Sequence, residues 1–296
     1  MAKSTLGKLG VWAWVDNAGF DGAAQFAHTI ETLGYSALWV PEAVGNDPFV
    51  TLAVIAQKTS TLKLATGIAN IYARDAMAMQ AVRKSLDGLS GGRLILGLGV
   101  SHPEMVSTFR HHDYGKPVST MRRYLELMEG ALFAGPQPER QGLLMLAALR
   151  QNMLGLAAEK ADGAHPYFVP VEHTGRAREI LGPDKLLAPE QMVLLETDPT
   201  EARRIARGYM ATYISLQNYR ANLLSLGFEE KDFDDGGSDR LVDAIVAWGD
   251  EDALAARIRE HWRCGADHVC IQALRKDGET GFDMETLKKL APLATE

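Results

Sequence analysis

The sequence predicts an α/β protein: one (β/α)8, or TIM, barrel domain spanning residues 1–296, with a helical insertion between strands 7 and 8. Short apolar runs alternate with amphipathic stretches eight times, and no Gly/Ser/Pro-rich linker divides them. The segment after the first strand, VWAWVDNAGFDG, lacks the G-x-G-x-x-G fingerprint that a doubly wound open sheet normally carries there.

The elements follow in order. Residues 9–15 read as the first strand. A helix over 21–33 puts Phe26, Ile30 and Leu33 on one face and stops at Gly34. Residues 37–41 are the second strand and 48–59 its helix. Residues 62–68 are the third strand. Asp75 then caps a helix whose inner face carries Ala78, Val82, Leu86 and Leu89. The fourth strand is 94–99, followed by a helix over 117–133 with Met121, Tyr124, Leu125, Met128 and Leu132 on one side. Strand five (143–149) precedes a helix over 151–161, and strand six (163–169) a helix over 173–181. Strand seven is 191–196. The insertion begins with a long helical region over 199–226, then the acidic turn EEKDFDDGGSD and a helix around 241–248. Asp250 caps a helix carrying Leu254, Ile258 and Trp262, which ends at Gly265. Residues 268–274 are the eighth strand and 284–290 the last helix.

Composition narrows the function. The chain is 46% hydrophobic and 23% charged, enough apolar material for a large core. A formal net charge of -7 argues against nucleic-acid coating and against an anionic membrane surface, while leaving room for a local phosphate pocket. Cys264 and Cys270 fit neither a disulfide framework nor a metal-binding pair and are expected as reduced thiols. The start MAKSTLGKLGVWAWV has a short apolar run with no small-residue cleavage site after it, and no run is long enough to span a membrane. A cytoplasmic protein is expected.

Barrel chemistry sits at the C-terminal ends of the strands. Those ends offer Glu42 after strand two, Ser101 and His102 after strand four, and the stretch ADGAHPYFVPVEHTGRARE around strand six. In VEHTGRARE, Thr174 or Glu172 can cap a helix and leave free N–H groups as an anion site, with Arg176 and Arg178 on the surface. His111 and His112 point apart as neighbours and lack a third ligand at helical spacing, so no metal site is expected. At Thr66-Gly67-Ile68-Ala69-Asn70 the third strand breaks its own alternation: small residues and a glycine replace β-branched ones.

Together these stretches resemble the bacterial luciferase-like family, and within it the deazaflavin-dependent oxidoreductases. The most specific segment is LATGIANIYARDAMAMQAVRKSLDGLSGGRLILGLGVSH, whose LDGLSGGR and LGLG match the family's "LDxLSGGRxxLGLG" run. Arg74 matches the family's arginine at a helix start, although Ala76 stands where proline is usual. EKADGAH and CGADHVCIQAL match the sixth- and eighth-strand patterns.

The resemblance implies a bulge at the end of strand three, with a non-prolyl cis peptide at Gly67–Ile68 behind a flavin-like ring. It implies coenzyme F420, an 8-hydroxy-5-deazaflavin, as hydride carrier for a small organic substrate. FMN, as in the family's monooxygenases, is the alternative cofactor, and a non-catalytic deazaflavin-binding protein is a third reading. Glu42 is expected near the polar edge of the ring. Thr66, Gly67, Ile68, Ala69 and Asn70 are expected along its face, and Val100, Ser101 and His102 beside it. Ala164, His165, Pro166 and Tyr167, with His173 and Thr174, are expected to hold the ribityl phosphate. The family's dehydrogenases place an Asp-His pair after strand two. Here that position reads Glu42-Ala43, which leaves His102 as the candidate proton-transfer group beside Glu42. Trp12, Trp14, Asn46, Phe49, Phe109 and the insert from Tyr213 to Tyr219 are expected to wall the substrate. A homodimer is expected from the family.

Overall fold

The structure is a computed structural model and describes residues 6–296. The first five residues of the N-terminal stretch read above for a targeting signal lie outside the described residues. The strands are β1 (Leu9–Trp12), β2 (Ala37–Val40), β3 (Lys63–Thr66), β4 (Ala69–Asn70), β5 (Leu94–Gly99) and β6 (Leu143–Leu146). They continue with β7 (Gly163–Ala164), β8 (Leu186–Leu187), β9 (Glu190–Leu194), β10 (Val246–Trp248) and β11 (Val269–Ala273). All pair in parallel, in the order β10-β9-β11-β1-β2-β3-β5-β6-β7-β8, with β4 on β5. Isolated parallel pairs need crossover connections, and helices supply most of them.

The two ends of this path meet. β8 runs through Ala188-Pro189 directly into β9. On one edge of that segment the Leu186, Ala188 and Glu190 N–H groups donate to Asp162, Ala164 and Pro166 at 2.9, 3.0 and 2.9 Å. On the other edge Leu187 and Pro189 carbonyls accept from Asp267 and Cys270 at 2.9 and 3.0 Å. The sheet thus closes into a barrel. β10 then pairs with the far half of β9, Met192 to Leu194.

The helices are α1 (Gly19–Thr32), α2 (Pro48–Lys58), α3 (Ala76–Ser90), α4 (Pro117–Glu129), α5 (Gln151–Lys160) and α6 (Val171–Leu181). The insertion contributes α7 (Pro199–Ser215), α8 (Gln217–Ser225) and α9 (Asp239–Ile245), and α10 (Glu251–Arg263) and α11 (Met284–Leu290) complete the layer. Asp47, Asp75 and Asp250 cap α2, α3 and α10 through their carboxylates, as helix-start residues should. The helices bury their apolar faces on the outside of the sheet around Leu38, Leu64, Leu96 and Ile271. The insertion has its own apolar cluster around Phe168, Met210, Leu223 and Leu241. Among the described residues no helix is long and apolar enough to cross a membrane.

Several expected elements differ. Strand six shortens to two residues, although backbone bonds continue past it from the His165 N–H to Leu146 and from Glu190 to the Pro166 carbonyl. β8 was not expected. β10 occupies the end of what reads as one helix over 241–248. There α9 stops at Ile245, where the chain turns extended to pair with β9. Leu89 and Leu132 were expected inward but are 50% and 81% exposed. The inner face of α3 runs instead through Met79, Arg83, Leu86 and Ser90, and α4 ends before Leu132. Between strand four and α4 the chain forms a π-helix over Glu104–Phe109.

Candidate active site

The site starts from the broken third strand. Ala65 pairs with Ile95 and Ala69 with Leu98, so one side advances four residues while the other advances three. One extra residue is a β-bulge. The Gly67–Ile68 peptide within it is cis. The bulge presses its backbone and side chains onto β5. A Cβ at Gly97 would lie 2.0 Å from the Thr66 carbonyl oxygen, and one at Gly99 would lie 2.3 Å from Ile68 Cδ1. The glycines of LGLG are therefore the space into which the bulge fits.

Polar contacts hold the bulge on every side. The Thr66 hydroxyl donates to the Gly97 carbonyl at 2.7 Å and accepts from the Gly97 N–H at 2.9 Å. The Trp12 indole N–H donates to the Gly67 carbonyl at 3.0 Å. Glu42 accepts from the Asn70 N–H at 2.7 Å and pairs with Arg74 at 2.8 Å. Arg74 also pairs with Asp47 and lies 4.8 Å over the Phe49 ring. The ion pair ties the loops after β2 and β4 together.

Beside the bulge a cavity of about 660 Å³ opens at the C-terminal ends of β5, β6 and β7. Ile68 forms one wall. Gly99, Val100, Ser101 and His102 form the next, with Tyr114 behind them. Ala147 to Met153, the loop after β6 and the first turn of α5, form the opposite side. His165 and Tyr167 border it from the end of β7, and Gln217, Asn218 and Tyr219 reach in from α8. Ser101 holds a left-handed backbone (φ 57°), and its carbonyl accepts from the Tyr114 hydroxyl at 3.2 Å. That turn places His102 with its ring 5.4 Å from Tyr219.

Of the expected residues, Ile68, Val100, Ser101, His102, His165 and Tyr167 line the cavity. Glu42, Thr66, Gly67, Ala69 and Asn70 do not; they build and brace the bulge behind it. Ala164 is fully buried in β7, and the Pro166 carbonyl accepts from Glu190. The expected cap at Thr174 or Glu172 is corrected. α6 starts earlier, at Val171, with Pro170 as its N-cap and no side-chain cap. Thr174 is buried, with its hydroxyl 2.8 Å from His261 Nδ1, and His173 Nε2 meets the Leu149 carbonyl at 2.5 Å. Both side chains are buried, and neither lines the cavity. Arg178 is no free surface residue: it bonds to the Gly182, Lys185 and Gly265 carbonyls and pairs with Asp267.

The sequence reading missed Arg150, Gln151 and Asn152. α5 has Arg150 at its N-cap, no side-chain cap and no acidic residue in its first turn. Arg150, Gln151 and Asn152, at the start of α5, all line the cavity. Trp12 packs 5.2 Å from Tyr167 and Phe49 under Arg74, neither lining the cavity, and Phe109 is 69% exposed at the end of the π-helix. Neither Trp14 nor Asn46 lines the cavity; the insert reaches it through Gln217, Asn218 and Tyr219.

Burial sets the protonation states. Desolvation lowers the pKa of His102, with Glu104 opposing it, so its imidazole is neutral near pH 7. His165 is pushed down to about 4 by burial, and Tyr114 up to about 12. The Tyr167 hydroxyl, also raised by burial, sits 2.8 Å from that of Tyr213 and donates to Gln272 at 3.0 Å. The site is thus an apolar wall, a neutral imidazole, phenols and one cationic helix start. That is suited to a flat ring bearing an anionic tail.

A family model described as "Luciferase-like monooxygenase" matches residues 8–268. The chain belongs to the luciferase-like monooxygenase family. A Mycobacterium tuberculosis relative, provisionally named a coenzyme F420-dependent oxidoreductase, is 30% identical over 154 residues. The alignment covers 52% of this chain but only 42% of that relative. The coenzyme F420-dependent tetrahydromethanopterin reductase of Methanopyrus kandleri superposes with a TM-score of 0.72 at 17% identity, covering 97% of each chain. A type II Baeyer-Villiger monooxygenase of Pseudomonas putida, in complex with FMN, gives 0.70 at 15%, again over 97% of each. At these identities the two structures speak for the shared fold alone.

Proposed function

We propose that this luciferase-like protein is a coenzyme F420-dependent oxidoreductase that passes a hydride between the deazaflavin ring and a small organic substrate. The observation that carries the reading is the Ile68 bulge, braced from behind and exposed to the cavity beside a neutral histidine. The name of the Mycobacterium tuberculosis relative supports the choice of cofactor.

The residues present fit such a group. Ile68, Gly99 and Val100 offer an apolar surface to one face of a planar ring, and glycine at 99 keeps that surface shallow. Arg150 and the uncapped start of α5 suit an anionic tail. When bound, the cofactor supplies the hydride chemistry. The protein orients, excludes water and handles protons. His102 is the residue placed to give or take one, since its ring borders the cavity and is neutral near pH 7. Glu42 is a positioning residue, with its carboxylate committed to Asn70 and Arg74.

The test is a titration of purified protein with F420, followed by its fluorescence, and separately with FMN, followed by absorbance. F420 binding without FMN binding supports the reading. FMN binding alone transfers the protein to the oxygen-dependent monooxygenases. Tight F420 binding with no turnover across a broad panel of carbonyl and alkene substrates makes it a cofactor-binding protein. His102→Gln should lower turnover and flatten its pH profile while leaving cofactor affinity within a few-fold.

A further inference from the structure

His165 follows β7, with its backbone N–H bonded to the Leu146 carbonyl at 2.9 Å and its ring bordering the cavity. Its ring stacks on Trp39, with centroids 4.4 Å apart and planes 19° from parallel. Its Nδ1 lies 2.8 Å from the Ala188 carbonyl oxygen. A carbonyl only accepts, so Nδ1 carries the hydrogen and Nε2 is left with a bare lone pair. Nε2 is buried and has no partner. The ring borders the cavity together with Ile68 and Tyr167. Trp39 cannot serve Nε2, because its own N–H donates to His268 Nε2 at 3.2 Å. His268 in turn is fixed by its Nδ1 contact to the Gly7 carbonyl at 2.5 Å. The tautomers of both histidines are thus set by backbone carbonyls.

A buried acceptor without a donor is unfavourable, and a bound donor relieves it. We infer that His165 is a specificity-determining residue whose Nε2 accepts a hydrogen bond, at the deep side of the cavity, from a ligand N–H or O–H group. The same lone pair disfavours a carboxylate or phosphate there. The residue that the family resemblance assigns to a phosphate is therefore set up for the opposite chemistry: a neutral donor such as a phenol, an enol or an imide N–H. The inference rests on the reading that this cavity holds the ligand, but not on which cofactor enters it.

Nitrogen NMR of full-length protein labelled with nitrogen-15 histidine tests it. The His165 signals are assigned by their loss in His165→Phe, which keeps a flat ring on Trp39. The probes are phenol, which carries a donor, and benzoate, which carries only acceptors on the same ring. Phenol should move the Nε2 resonance upfield, benzoate should not, and phenol should bind roughly 3–10-fold more weakly to His165→Phe. An unmoved Nε2 at saturating phenol, or a stronger response to benzoate, overturns the inference. The same spectra with F420 and FMN separate the two readings. If neither cofactor binds yet phenol still moves Nε2, the cofactor reading fails and the donor site stands. If a cofactor saturates the protein and phenol then leaves Nε2 unmoved in both forms, the donor site fails and the cofactor reading stands. Should His165→Phe not fold, His165→Gln supplies the assignment, and the wild-type spectra decide.

Discussion

The Glu42–Arg74 pair offers a quantitative test of how the bulge is held. Glu42 is 8% exposed at its side chain and Arg74 13%, so the pair is shielded from solvent screening, unlike most surface pairs. Glu42→Gln keeps the shape and a neutral acceptor for the Asn70 N–H but removes the charge. Arg74 retains Asp47, which limits the damage. Exchanging one charge-assisted hydrogen bond and part of an ion pair for a neutral contact should cost about 2 kcal/mol. For a chain of this size that lowers the melting midpoint by roughly 3 °C. Arg74→Met leaves the Glu42 carboxylate buried with only the Asn70 N–H, and should cost about 3 kcal/mol. In the double variant neither uncompensated charge remains, so the losses should fall short of additive by about 1.5 kcal/mol.

Urea unfolding of the four proteins measures that coupling. Cofactor affinity should fall in Glu42→Gln as well, because the Asn70 contact fixes the strand that carries Ile68 to the cavity. Additivity within about 0.5 kcal/mol would show that the two residues act independently and refute the brace. So would an unchanged cofactor affinity in a Glu42→Gln protein that is clearly destabilised.

Three further outcomes are expected. Gly99→Ala puts a methyl 2.3 Å from Ile68 Cδ1, so Ile68 must move; cofactor affinity should drop at least tenfold, with a stability loss of about 1–3 kcal/mol by urea titration. Arg150→Ala should weaken FMN or F420 about tenfold yet leave riboflavin, which lacks the phosphate, unchanged in calorimetric titration. Burial holds His165 and His268 at about 4 and His261 at about 3, against 6.5 for a free histidine. The native state binds fewer protons there, so stability complete above pH 6.5 is lost as pH falls toward 4, by roughly 3 kcal/mol for each of the first two. Burial raises Glu190 to about 8 from 4.5, which has the opposite sign: its contribution is full below pH 4.5 and is lost as pH rises through 8. Urea midpoints across pH 4–9 should therefore peak near pH 6.5, and a flat profile on the acid side would contradict the neutral interior.

The barrel was legible because its strand–helix alternation is a local pattern, and the bulge because Thr66 to Asn70 breaks a strand in a way that a buried ladder does not require. Other features depend on tertiary contacts that leave no local trace. Val246 to Trp248 continues the helical apolar spacing of Leu241, Val242 and Ile245, and only the exposed edge of β9 draws it into a strand. Glu190 reads as loop polarity before the strand expected at 191–196; burial in the barrel makes it a strand residue. Thr174 is a plausible cap by type, but α6 has already begun at Val171, behind the N-cap Pro170, before the chain reaches it. Arg150 was passed over because an arginine before a helix carries no signal until the fold sets that helix start beside a cavity.

The division of labour follows from where the walls come from. The bulge and β5 belong to the barrel frame, fixed by ladder bonds and by glycines that admit no side chain, and α5 packs against that frame. The far wall belongs to the insertion, which packs as a cluster of its own around Phe168 and Leu223. At Leu216 the chain turns extended (ψ 120°) between α7 and α8, and this single kink drops Gln217, Asn218 and Tyr219 into the cavity. Tyr219 touches His102 on one side and stands 6.2 Å from Tyr167 on the other, so the insertion meets the proton-transfer candidate directly. Changes in the frame should alter binding of any cofactor, whatever the substrate. Changes at residues 217–219 should alter which substrate turns over while leaving the cofactor in place, because no ladder bond or core contact of the bulge passes through α8.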